Sequence, residues 1–78
     1  MAKQYLDYNE ELLEEGKWAE FVKSLEYGIY DVPMKGYAEL QRLRNTISRA
    51  NNDTKCRFKF KTNVKYDPLV LHIETDLK

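Results

Sequence analysis

From Cys56 to Val64 the chain alternates between two kinds of side chain. Cys56, Phe58, Phe60, Thr62 and Val64 are separated by Arg57, Lys59, Lys61 and Asn63. A period of two puts each set on its own face of a strand. Asp67-Pro68 signals a turn, and LVLHIET from Leu69 onward is rich in branched residues that suit a second strand. A loop over residues 65–68 sets Val64 opposite Leu69, Thr62 opposite Leu71, Phe60 opposite Ile73 and Phe58 opposite Thr75. Every large apolar residue except Val70 then lies on one side, and a slip of one residue breaks that match. The wet side pairs Lys61 with His72, Lys59 with Glu74 and Arg57 with Asp76, so part of the basic stripe has acidic neighbours.

Upstream the apolar spacing changes to three and four. Tyr37, Leu40, Leu43, Ile47 and Ala50 predict an amphipathic helix, closed by a turn at Asn51, Asn52 and Asp53. Trp18, Phe21, Val22 and Leu25 fall at i, i+3, i+4 and i+7, which predicts helix from about Lys17 to Tyr27, stopped at Gly28. A short strand over Trp18–Val22 is the alternative, because Trp, Phe and Val also form strands. Asn9 caps a first helix with Glu10 and Glu11 in its opening turn and Leu12 and Leu13 on its apolar side. Gly16 either stops that helix or weakens a longer one. Ile29 to Val32 is short and β-prone, and Pro33 ends it.

This order predicts an α+β fold: N-terminal helices, a short strand, one central amphipathic helix, and a C-terminal β-hairpin completing a small antiparallel sheet. One or two helices pack on its apolar face. A winged helix-turn-helix has a related order but needs two helices between its first and second strands. Residues 33–54 hold one.

Length fixes the domain count. A chain of 78 residues forms one small domain, 1–78, with a modest core and little stability to spare. Cys56 is alone, so no internal disulfide forms, in keeping with a reducing compartment. MAKQYLDYNEELLEE turns acidic at once, unlike a signal peptide, and no apolar stretch approaches the roughly 20 residues that span a bilayer. The expectation is a cytoplasmic protein with no membrane partner.

The net charge is zero, yet the charges are segregated. Residues 1–31 carry eight acids against Lys3, Lys17 and Lys23, and residues 32–66 carry nine bases against Glu39 and Asp53. The halves either neutralise each other or present one sign to a partner. Two candidate surfaces follow. Tyr5 and Tyr8, ahead of the first helix, are the tyrosines expected to be exposed. With Glu10, Glu11, Glu14 and Glu15 they form an aromatic and acidic surface suited to a protein partner. Arg42, Asn45 and Arg49 share the outer face of the central helix and, with Lys59 and Lys61 on the hairpin, form a candidate nucleic-acid surface. Against the second stands the expectation that Arg42 and Arg49 pair with the acidic helices.

Catalytic chemistry finds little footing. His72 is the only histidine and shares a strand face with Val70 and Glu74; Cys56 falls on the core face, where a thiol is a small hydrophobe. No zinc spacing and no phosphate-binding glycine loop occur in the chain. No catalytic, cofactor-binding or metal-binding residues are expected, and no cofactor.

The run from GKWAEF through YAELQRLRNTISRAN to CRFKFKT resembles, in layout, small accessory proteins of bacteriophages. The resemblance covers about the last two thirds of the chain. It implies a non-enzymatic binding protein or inhibitor that occludes a surface of a host protein or enzyme. A nucleic-acid-binding module is the alternative, and a self-assembling homo-oligomer the third.

Overall fold

A computed structural model describes residues 3–78. It shows an α+β domain with the elements α1 (Glu10–Glu14), α2 (Trp18–Ser24), β1 (Ile29–Pro33), α3 (Tyr37–Asn52), β2 (Phe58–Lys65) and β3 (Val70–Leu77). The sheet is antiparallel in the order β1-β3-β2, so the last strand occupies its centre.

Each helix follows from its local sequence, with one end displaced. Asn9 caps α1 by accepting the Glu11 N–H on Oδ1 at 3.1 Å. Gly16 ends the helix in the left-handed region, at φ 71°. There Lys17 N–H reaches Leu12 C=O at 2.8 Å and Gly16 N–H reaches Leu13 C=O at 3.1 Å, the paired bonds of a glycine-terminated helix. Trp18–Val22 is helical, but α2 stops at Ser24, three residues short of Tyr27. The main chain of Glu26 is held elsewhere. Its N–H donates to the Tyr30 hydroxyl at 2.7 Å, and its carbonyl accepts from that hydroxyl at 3.0 Å and from Thr75 Oγ1 at 2.9 Å. This clasp turns the chain into β1.

Gly28 is therefore a point of close approach rather than a helix stop. Its N–H donates to Thr75 Oγ1 at 2.7 Å, and Thr75 N–H donates back to Gly28 C=O at 3.1 Å. A Cβ on Gly28 would lie 2.6 Å from Leu6 Cδ1 and 2.9 Å from the Gln4 carbonyl. Only glycine lets residues 4–6 run alongside β1, where Leu6 N–H bonds Ile29 C=O and Ile29 N–H bonds Gln4 C=O, both at 2.9 Å.

The hairpin keeps the predicted faces but shifts register by two residues. Phe60 lies opposite Thr75, Thr62 opposite Ile73 and Val64 opposite Leu71; on the wet side Lys61 faces Glu74 and Lys59 faces Asp76. A two-residue shift preserves which side chains point inward, so hydrophobic alternation did not distinguish the two registers. The connection moves to residues 66–69, with Asp67 in the left-handed region at φ 55°, a conformation its short polar side chain tolerates.

The core lies between the sheet and the pair α2 and α3. Phe21, Val22 and Leu25 meet Leu40, Leu43 and Ile47 above Tyr30, Val32, Phe60, Leu71 and Ile73. Tyr37, predicted within the apolar stripe of α3, is 64% exposed. It sits in the first turn and packs on Tyr66 of the hairpin turn instead, with ring centroids 6.2 Å apart. β2 is an edge strand, and Asn51 of α3 caps its edge at Phe60, near the strand's start: Phe60 N–H donates to Asn51 Oδ1 at 2.7 Å, and Asn51 Nδ2 donates to Phe60 C=O at 2.9 Å.

Candidate binding groove

A concavity opens where α2, α3 and the start of β2 meet, with a volume of about 920 Å³. Its floor is apolar: Val22 and Leu25 from α2 and its end, Ala50 from α3, and Phe58 and Phe60 from β2. Phe58 and Ala50 are half-buried, so part of that floor meets solvent. The helix spacing explains the arrangement. Ala50 is the last apolar position of α3, one turn past Ile47, and its small side chain leaves open the space that a larger residue would fill.

The rim is basic. Lys23, Arg49, Lys55 and Arg57 surround the floor, with Glu26 and Asp53 as the acids on the lining. No ion pair within 4 Å among the described residues involves any of those four cations. The Asp53 side chain is engaged in its own turn, accepting the Lys55 N–H at 2.9 Å. Cys56 lies half-buried in the lining and donates its thiol to Phe58 C=O at 3.4 Å.

The predicted nucleic-acid set is split by the fold. Arg42, Asn45 and Arg49 are exposed on α3. Lys59 and Lys61 alternate with the buried Phe60, which packs toward α3, and so project from the opposite face of the sheet. The two halves of the patch stand on opposite sides of a two-layer domain. The expected pairing of Arg42 and Arg49 with the acidic helices is also absent among the described residues.

The predicted protein-binding set is partly assembled. Glu10, Glu11, Glu14 and Glu15 are all exposed, with Glu15 in an ion pair with Lys17 at 3.0 Å. Tyr5 is 64% exposed and rests the edge of its ring on His72. Tyr8 departs from expectation: it is half-buried, with its ring edge-on to Phe21 at 5.8 Å, because the strand-like run of residues 4–6 carries the following segment back onto α2. That burial raises the Tyr8 hydroxyl pKa, with Glu10 adding to the effect.

The outer face of the sheet is a web of charge. His72 Nδ1 lies 2.6 Å from Asp31 Oδ1, directly across the β1–β3 pair, so the histidine is a hydrogen-bonded strand residue. Lys3 reaches over to Glu74 at 3.1 Å and also bonds Asp76. The bond to Asp76 is the main cause of a raised Lys3 pKa. The same bond is the main cause of a lowered Asp76 pKa, with Lys61 and Lys59 adding to it from the opposing strand. Sequence reasoning did not single out Lys3, Thr75 or Asn51 as contact residues. It named Arg49 as a contact residue but set Arg57 opposite Asp76; the two-residue register shift gives Asp76 to Lys59 and leaves Arg57 just ahead of β2, on the groove rim. The apolar floor was missed because Val22, Leu25 and Ala50 read only as core.

No group of histidine, cysteine, aspartate and glutamate among the described residues is arranged to hold a metal ion. No described helix is long and apolar enough to cross a membrane. No family model matches this chain, and no curated protein or solved structure does either.

Proposed function

We propose that this is a non-enzymatic binding protein whose target is another protein, engaged through the basic-rimmed groove between α2, α3 and β2. The observation that carries this reading is an open apolar floor ringed by four cations that have no acidic partner of their own. Interfaces of this kind bury an apolar centre and leave charge at the rim. The layout resemblance to bacteriophage accessory proteins supports occlusion of a host protein's surface as the mechanism.

A nucleic-acid-binding module ranks second. The cations favour it, but Glu26 and Asp53 repel phosphates, and Arg42, Lys59 and Lys61 do not extend the rim. The test compares capture of the same partner by two variants, Arg49→Glu/Arg57→Glu in the groove and Glu11→Lys/Glu14→Lys on α1. The groove reading expects loss with the first pair and retention with the second. The reverse result makes the acidic surface of α1 the binding face. Tight binding of single-stranded or duplex DNA or RNA that falls steeply with salt replaces both with the second-ranked reading.

A further inference from the structure

Which kind of protein segment fits this groove is decided by its backbone chemistry as well as its charge. An extended segment docks by adding its main chain to an open strand edge. The strand edge bordering this groove offers no such run. Both main-chain groups of Phe60 are taken by the Asn51 amide, and the Phe58 carbonyl accepts the Cys56 thiol. The helical walls, α2 and α3, bond their main chains internally up to their last turns. A segment entering here must satisfy its own backbone and offer only side chains, as an α-helix does.

Charge selects the helix further. The lining carries Lys23, Arg49, Lys55 and Arg57 against Glu26 and Asp53, a net excess of two positive charges beside an apolar floor. Lys78 adds a further cation at the turn, with its ammonium on the Asn51 and Asp53 carbonyls at 3.3 and 2.7 Å. Resting on the groove reading above, we infer that the natural occupant is an acidic amphipathic helix of the partner protein. Its apolar stripe lies on Ala50 and Phe58, above the buried Val22 and Leu25, and its carboxylates face the rim cations.

The test is a fluorescence-anisotropy titration of the full chain with a labelled designed helix carrying leucines at i, i+3, i+4 and i+7 and glutamates elsewhere. A second helix has lysine in place of every glutamate. The expected result is binding of the acidic helix that weakens with salt, as rim charge pairs are screened. Arg57→Glu should weaken it about tenfold, chiefly through slower association. Arg57 is exposed, and far-UV circular dichroism verifies that the variant keeps its fold. Equal or tighter binding of the lysine helix overturns the charge inference and leaves the groove reading standing. Binding of neither helix overturns both, as does capture of a single-stranded oligonucleotide that Arg57→Glu abolishes. A concentration-dependent dimer that Arg57→Glu dissociates makes a second copy of this chain the occupant and overturns the partner-helix inference.

Discussion

Asn51 binds Phe60 as a neighbouring strand would: its amide accepts the Phe60 N–H at 2.7 Å and donates to the Phe60 carbonyl at 2.9 Å. One side chain from the last turn of α3 thereby occupies the first half of the β2 free edge. It joins the helix layer to the sheet, and it also fixes one border of the groove. Unpaired edges recruit other chains, so this contact, together with Lys59, Lys61 and Lys65 along the strand, protects the domain from edge-to-edge association.

Asn51→Ala removes both bonds and leaves the half-buried main chain of Phe60 without a partner. The expected cost is about 1–3 kcal/mol, the range for orphaning a buried polar group. Urea unfolding measures it. Sedimentation at rising concentration should show more self-association than the parent chain. An unchanged midpoint would mean that water replaces the amide without loss.

Thr75 is fully buried on the central strand β3 and holds the turn between α2 and β1 through its hydroxyl. Thr75→Val keeps the shape and removes the hydroxyl, leaving the Gly28 N–H unsatisfied. A loss of about 1–3 kcal/mol is expected. Thr75→Ser keeps the hydroxyl and should cost less, about 1 kcal/mol for one buried methyl. Equal losses would show that packing rather than the hydrogen bonds sets the requirement.

Gly28→Ala drives a Cβ into Leu6 and the Gln4 carbonyl. Residues 4–6 should lift from β1, and the Lys3 contacts with Glu74 and Asp76 should go with them. In a double-mutant cycle Lys3→Ala should then cost almost nothing on the Gly28→Ala background. Full additivity would mean that the N-terminal run stays docked.

The Lys3 pair sets a pH window. The Asp76 pKa is lowered below its usual 3.8 by Lys3, so its contribution is complete above that value and is lost as pH falls through the lowered folded pKa. The Lys3 pKa is raised above its usual 10.5, chiefly by Asp76, so its contribution is complete below that value and is lost as pH rises through the raised one. Asp76→Asn should flatten the acid limb of a stability-against-pH curve. Burial also raises the Tyr30 pKa, so the clasp on Glu26 should fail on the alkaline side, as pH rises through that raised value. An acid limb unchanged by Asp76→Asn would assign it to other carboxylates.

Local pattern made the helices and strands legible. The stripe Leu40, Leu43, Ile47 and the alternation Phe58, Phe60, Thr62 each repeat within a few residues, so a single chain displays them. Register was legible only modulo two, because any even shift keeps the same faces. Contacts between residues far apart in the chain had no local trace: Lys3 with Glu74 and Asp76, Gly28 with Thr75, and Asn51 with Phe60. The groove was illegible for the same reason. Its cations were visible, but its floor is assembled from Val22, Leu25, Ala50 and Phe58, which sequence shows only as apolar positions.

The most direct measurement is an amide chemical-shift map of the ¹⁵N-labelled protein titrated with the acidic amphipathic helix. The groove account predicts saturable shifts clustered at Val22, Lys23, Ala50, Cys56 and Phe58, with Glu11, Glu14 and the outer strand residues Lys59 and Lys61 unmoved. Shifts centred on α1 and Tyr5, with the groove silent, would contradict it.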